Sequence, residues 1–218
     1  MKLDRIFKSK LRFFLFLFLG IFLSFSLPPY NYIFLGFIIF PFILYLLKVN
    51  EQDHPKVFFI YGILFSFGYF ITSLYWISYS LNFDPEVLIL KPFAIFILPL
   101  FLSVFYGLSF YIFKLFFKFK FFFVLNFSIL MALTEYIRSF ITGFSWNLFV
   151  YALSEQLASI QILNIIGTFS LNFFIIFIFS FPYFLIKKNK IIFFKRTILL
   201  LFLIGINYLY GLNRLQAN

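Results

Sequence analysis

Between Thr134 and Gln156 the chain reads T-E-Y-I-R-S-F-I-T-G-F-S-W-N-L-F-V-Y-A-L-S-E-Q, bringing a carboxylate, a guanidinium, a glycine, an indole, a carboxamide and a phenol close together. The surrounding sequence is mostly Phe, Leu and Ile interrupted by Lys. Glu135 and Arg138 stand three residues apart, so on a helix they share a face and can pair. Ionised groups at membrane depth are costly unless paired or hydrated, which makes both candidate site residues. The alternative reading is that the pair only closes a helix end. Gly143, between apolar neighbours, permits a backbone turn that a bulkier residue would resist. Trp146 supplies an amphipathic ring at headgroup level, either as an interfacial anchor or as part of a site.

Several other chemistries are excluded. The chain has no cysteine, which removes disulfides, thiolate metal sites and a cysteine nucleophile. His54 is the single histidine and falls in a polar joint, so a histidine triad or zinc site is not expected, and no cofactor or metal is implied. The net charge of +11 sits in short joints between apolar runs rather than along one polar face. Anionic lipid headgroups, not nucleic acid, are therefore the expected neighbours of the basic residues.

The elements that must position these residues are membrane helices. With 64% hydrophobic and 11% charged residues, the chain has too little polar surface to coat a soluble globule, for which about 25% charged is ordinary. The apolar runs are apolar at both odd and even positions, which excludes an alternating outer-membrane barrel. A hydrocarbon core of about 30 Å takes roughly 20 residues of helix. Spans are expected at 13–27, 32–47, 57–81, 92–113, 121–137, 160–186 and 197–212, with Pro28 and Pro29 turning the chain between the first two. The region between the fifth and sixth is too polar and too broken at Gly143 for another crossing, and suits two interfacial half-helices.

Orientation follows from the joints. With the N-terminus inside, the inner joints hold 15 of the 18 Lys and Arg residues, leaving Lys91, Arg138 and Arg214 outside with Asp84, Glu86 and Glu155. The expected fold is thus all-α, a polytopic bundle of seven transmembrane helices, N-terminus inside and C-terminus outside.

The order T-E-Y-I-R-S-F-I-T-G-F-S-W, then Tyr151 and Gln156, then I-I-G-T-F-S-L-N-F, resembles the membrane domain of the bacterial apolipoprotein N-acyltransferase family. The family pattern is roughly E-x-x-R-x-x-x-x-T-G-F-P-W followed by G-x-x-G-x-x-F. Leu27-Pro28-Pro29-Tyr30 resembles the family's first turn, Gly68 to Ile77 (G-Y-F-I-T-S-L-Y-W-I, with Tyr75 and Trp76) its third span, and Tyr210 to Leu215 the approach to its soluble domain. Ser145 replaces the usual Pro, Ala152 and Leu153 follow Tyr151, and Ser170 replaces the second Gly of the later segment.

The resemblance implies a multi-pass protein of the bacterial inner membrane whose substrates are phospholipid and lipoprotein. An acyl chain passes from phospholipid to an enzyme cysteine, and then to the amino group of a diacylglyceryl-cysteine. It further implies that Glu135, Arg138, Trp146, Tyr151 and Asn172 line or brace the lipid mouth, with Gly143, Tyr75 and Trp76 as further lipid-binding candidates. The family's Glu, Lys and Cys set belongs to a periplasmic nitrilase-like domain. Residues 1–212 are accordingly expected to be the transmembrane domain, and 213–218 the start of a linker to that domain, which is missing here. The chain is then a fragment, a relic, or half of a split enzyme with a separate nitrilase-like chain. A non-enzymatic lipid-binding or transport protein is the rival reading. Transporters place polar residues near the midplane, and Asn126 and Asn172 are the main candidates for that here.

Overall fold

The computed structural model describes residues 2–83, 85–116, 122–186 and 190–217. Asp84, Lys118, Lys120, Lys187 and Lys188 of the charge count lie outside the described residues, as do the side chains of Lys2, Arg5, Lys8, Lys10, Lys190, Lys195 and Arg196.

Among the described residues, seven longer helices make the bundle: α1 (Lys2–Ser24), α2 (Phe34–Val49), α3 (Pro55–Ser73), α4 (Leu98–Phe116), α5 (Phe123–Thr142), α6 (Thr168–Ser180) and α7 (Lys190–Ala217). Among the described residues, five helical stretches are long and apolar enough to cross a membrane: Pro55–Ser73, Glu86–Phe116, Phe123–Thr142, Thr168–Leu185 and Thr197–Ala217. The apolar parts of the first two helices, Leu11–Ser24 and Phe34–Val49, are shorter.

Helix ends depart from the hydropathy boundaries for identifiable reasons. The expected third span stops at Ser73, eight residues before Leu81, and the chain turns through Tyr75 and Trp76. The fifth runs on to Thr142, where Gly143 takes a left-handed φ of 65° and caps it. The sixth does not begin at Ile160, because Gly167 at φ 77° separates the short turns Leu157–Ile160 and Leu163–Ile166 from α6. Apolarity continues across the first and third of these places, so hydropathy alone overruns them, whereas at the fifth helix the polar Arg138 and Ser139 end the apolar run before the helix ends. In place of two half-helices, the 143–167 connection holds a 3-10 turn, Phe149–Leu153, and these two short helical turns.

The helices alternate in direction. One end of the bundle gathers the start of α1, the turn after α2 and the end of α4. There Arg12 donates to Asn50 and to Asp53 (3.2 Å), Tyr61 donates to Asp53 at 2.7 Å, and Lys114 donates to the Glu51 carbonyl. The opposite end carries the Pro28-Pro29 turn, the end of α3 and the 143–156 loop.

Between these ends α3 is wedged against α1 and α4 at backbone contact. A Cβ on Gly68 would overlap the Leu17 carbonyl, and one on Gly62 the Tyr106 carbonyl. Small residues allow this approach, which is the packing that holds helices together in lipid. α6 closes the bundle against α2 and α5, and rings fill the middle. Phe40 meets Phe149 edge-on at 5.1 Å and Phe127 at 6.3 Å, with Phe179 tilted against it at 6.0 Å. α7 packs by its C-terminal half on the 157–164 turns, where Asn207 donates to the Ser159 carbonyl and Arg214 to that of Gln161.

Candidate functional site at the aromatic end

Glu135 and Arg138 lie on the inward face of α5, and both side chains are fully buried. Arg138 Nη2 and Nε donate to Glu135 Oε2 at 2.5 and 3.0 Å, the pairing that the three-residue spacing allows. The helix continues past them to Thr142, so the pair does not close its end. The remaining guanidinium donors reach forward. Nη1 donates to the Phe144 carbonyl and Nη2 to the Trp146 carbonyl, each at 2.9 Å. The Phe70 ring of α3 covers the guanidinium, 5.4 Å from Cζ. Arg138 thus spends its charge inward and its fork on the loop backbone. An uncompensated ion here would cost several kcal/mol, about 3–5 for loss of one partner, so the pair and its carbonyl acceptors stand or fall together.

The same loop is held from three further elements. From α3, the Tyr69 hydroxyl donates to the Asn147 carbonyl at 2.7 Å, and Asn147 Nδ2 donates to Ser73 Oγ. From α6, the buried Asn172 Oδ1 accepts the Val150 N–H at 3.0 Å. From the first turn, Asn31 Nδ2 donates to Glu155 at 2.6 Å. Within the loop, the Tyr151 hydroxyl donates to the Ser145 carbonyl at 3.1 Å. Burial pushes the Tyr151 phenol above its ordinary value, with Glu135 adding to the rise and Arg138 opposing it, so it remains a donor across the working range of a cell. Asn147 needs a positive φ of 61°, which Asn tolerates better than most residues.

What this bracing shapes is a groove of about 710 Å³. One wall is the end of α1 and the first turn, from Ser24 to Tyr30; the second is Thr72 to Trp76; the third is Ser145 to Asn147 with Tyr151 and Ser154. Trp76 and Trp146 meet edge to face at 5.9 Å across the last two walls, both about half exposed.

The expected site residues therefore separate into two groups. Tyr75, Trp76, Trp146 and Tyr151 line the groove. Glu135, Arg138 and Asn172 lie beneath the loop and shape it, while Gly143 marks its start with open space around its α-carbon. Tyr69, Ser73 and Asn31 were not among the expected site residues, and Asn147 entered only as the carboxamide of the 134–156 stretch. A hydroxyl inside an apolar run was the available signal for Tyr69, and an Asn beside a Trp for Asn147. Among the described residues, no group of three or more His, Asp or Glu side chains is placed to hold a metal.

Comparison with known proteins adds a lineage to this geometry. Residues 19–181 match the model of the apolipoprotein N-acyltransferase N-terminal domain. The chain is 32% identical over 164 residues to an apolipoprotein N-acyltransferase of Rhodopseudomonas palustris, covering 73% of this chain and 31% of the relative. It is 36% identical over 163 residues to that of Rickettsia typhi, covering 72% and 32%. For the one from Brucella melitensis the figures are 31% over 176 residues, 75% and 32%. The matched part thus spans about a third of the length of these relatives.

Proposed function

This chain belongs to the apolipoprotein N-acyltransferase family, represented by its N-terminal domain, and from that premise we propose that it is the lipid-holding membrane domain of such an acyltransferase. In this reading it crosses the bacterial inner membrane seven times, with the N-terminus inside and the groove end outside. The alternating helix directions and the basic joints at the Arg12 end favour that orientation.

The reaction is acyl transfer from phospholipid to the N-terminal diacylglyceryl-cysteine of a lipoprotein. A thiolate attacks the ester carbonyl of the phospholipid and expels a lysophospholipid alkoxide, which takes up a proton. The lipoprotein amine then attacks the thioester, forms the amide, loses a proton and releases the thiol. None of the 218 residues is a cysteine, so in this reading the thiol belongs to a nitrilase-like Glu, Lys and Cys unit outside these residues. This chain's part is to bind and orient. It keeps the two lipids side by side beneath that thiol, where positioning alone is worth several orders of magnitude in rate.

The observation that carries the reading is the groove itself. It has rings on its rim and an apolar bundle below, and four separate elements fix its loop wall. Of Asn126 and Asn172, the two polar residues named for the transport reading, Asn172 braces the loop through Oδ1 to the Val150 N–H, while its buried Nδ2 has no partner among the described residues.

The test is reconstitution. The chain is placed with a Glu-Lys-Cys nitrilase-like unit in cells depleted of their own apolipoprotein N-acyltransferase, and N-acylation of lipoproteins is read by mass spectrometry. Acylation that depends on this chain and falls at least tenfold with Trp146→Ala supports the proposal. Acylation unchanged by omitting the chain, or absent with every partner unit, overturns it.

A further inference from the structure

We propose that the chain between α3 and α4 is an arm seated in the lipid headgroup layer at the groove end, its partner being the membrane surface itself. The proposal rests on the reading of this chain as a membrane domain. After Ser73 come four short turns, Ile77–Ser80, Leu81–Phe83, Pro85–Leu90 and Phe93–Ile97, before α4 begins at Leu98. The first of them packs back against the last, so the segment is a hairpin with Phe83 and Ile89 towards its tip.

The first observation is exposure. No residue from Ile77 to Phe83 is buried. Phe83 and Ile89, at 91% and 83%, are the most exposed of the large apolar side chains among the described residues. Side chains of this kind are the costliest to leave in water. The second observation is continuity. Ile89, Phe93, Phe96, Leu100, Val104 and Leu108 are all exposed and follow one another at steps of three or four residues. The apolar surface of the arm thus runs unbroken onto the outward side of α4, inside a stretch apolar enough to cross a membrane. A protein seated on the tip would leave the lower part of that surface to lipid; a bilayer covers the whole of it.

The third observation is length. The stretch Glu86–Phe116 has 31 residues, which as a straight α-helix would reach about 46 Å, against a hydrocarbon core of about 30 Å. The excess lies at the arm. Gly62 of α3 lies against the Tyr106 carbonyl of the antiparallel α4, so α3 ends at Ser73 roughly level with Ile95. Beyond that level the chain gives up straight helix for the turns around Pro85 and Pro92. The fourth observation is depth. Ser78, Ser80, Asn82, Glu86 and Lys91 are scattered among the apolar residues, a mixture suited to the headgroup boundary rather than to hydrocarbon. Trp76 both lines the groove and precedes the turn Ile77–Ser80, so the depth of the arm sets the depth of that wall.

The test uses the absence of cysteine from the 218 residues, which makes single-site labelling clean. Phe83→Cys, Ile89→Cys and Phe96→Cys each carry a nitroxide on the full chain in phosphatidylethanolamine and phosphatidylglycerol nanodiscs. Leu108→Cys serves as the lipid reference, and Gln52→Cys, on the exposed turn after α2, as the water reference. Relaxation by oxygen, which concentrates in the bilayer, is compared with relaxation by a water-soluble nickel chelate. The oxygen-to-nickel ratio at Phe83 and Ile89 is expected at least about threefold above that at Gln52, as burial some 5–10 Å into the headgroup boundary requires, with Phe96 higher still. A ratio at either tip position equal to that at Gln52 overturns the arm, because the tip then stands in water. Shielding of either from both reagents overturns it too, because protein then covers the tip. With Leu108 oxygen-rich, either result leaves the membrane-domain reading standing; a water-like ratio at Leu108 overturns both.

Discussion

The two ends of the bundle use charge in opposite ways. At the Arg12 end the ionised groups are partly exposed: the side chains of Arg12 and Asp53 keep about a quarter of their surface accessible, at 27% and 29%. At the Trp146 end Arg138 and Glu135 keep none. Pairs of the first kind are screened by water and salt and contribute little, about 0–1 kcal/mol. A pair of the second kind holds its geometry because any alternative leaves a bare charge in an apolar interior. The first end tolerates adjustment, whereas the second fixes one loop in one place. At that second end the shape of the groove depends on the loop.

The largest expected effect tests the buried pair. Arg138→Ala leaves Glu135 buried without its partner and is expected to cost about 3–5 kcal/mol, read as a fall in thermal midpoint of the detergent-solubilised protein. Replacing both residues with methionine should recover most of that stability, yet leave the 143–147 loop open to protease, since two loop carbonyls lose their donors. If the double variant protects the loop as the native chain does, the bracing role is wrong.

Next is Asn172→Leu, which strands the buried Val150 N–H at a cost of about 1–3 kcal/mol and should speed hydrogen exchange at Val150 first. Tyr69→Phe removes one donor from the Asn147 carbonyl. About 1 kcal/mol is expected, together with a shift in indole emission, because Asn147 adjoins Trp146. The smallest effect belongs to the other end. Arg12→Ala should cost about 0.2–1 kcal/mol, shrinking further as salt is raised. A loss at Arg12 equal to that at Arg138 would abolish the contrast between the ends.

Much of this was legible in the sequence, and the limits have physical causes. The helical class follows from long apolar runs, and the Glu135 and Arg138 contact from helical periodicity, because both are local. The stops at Ser73 and Gly167 are hidden from hydropathy, since a turn inside an apolar stretch changes the backbone without changing its affinity for lipid. The destination of Arg138 was hidden for another reason. Its spacing to Glu135 forecasts a partner along the helix, but its donors to Phe144 and Trp146 depend on the chain reversing at Gly143 and returning over the helix end. Tyr69 and Asn147, 78 residues apart, meet through tertiary packing alone. Phenylalanine divides the same way: composition reads it as interchangeable apolar bulk, whereas Phe40, Phe127, Phe149 and Phe179 occupy defined places in the core.

The glycine contacts along α3 bear on how the width of the groove is set. Where backbone touches backbone, as at Gly68 with Leu17 and Gly62 with Tyr106, no compressible side chain lies between the helices. Mechanically, α1, α3 and α4 then form a stiff frame on which two walls of the groove are mounted, while the third wall is a loop anchored by discrete hydrogen bonds. Width is then set by the turns that extend beyond these helices, Leu27 to Tyr30, Tyr75 and Trp76, and by the loop at 145–147, so exchanging residues there would change the groove while the helices stay as they are.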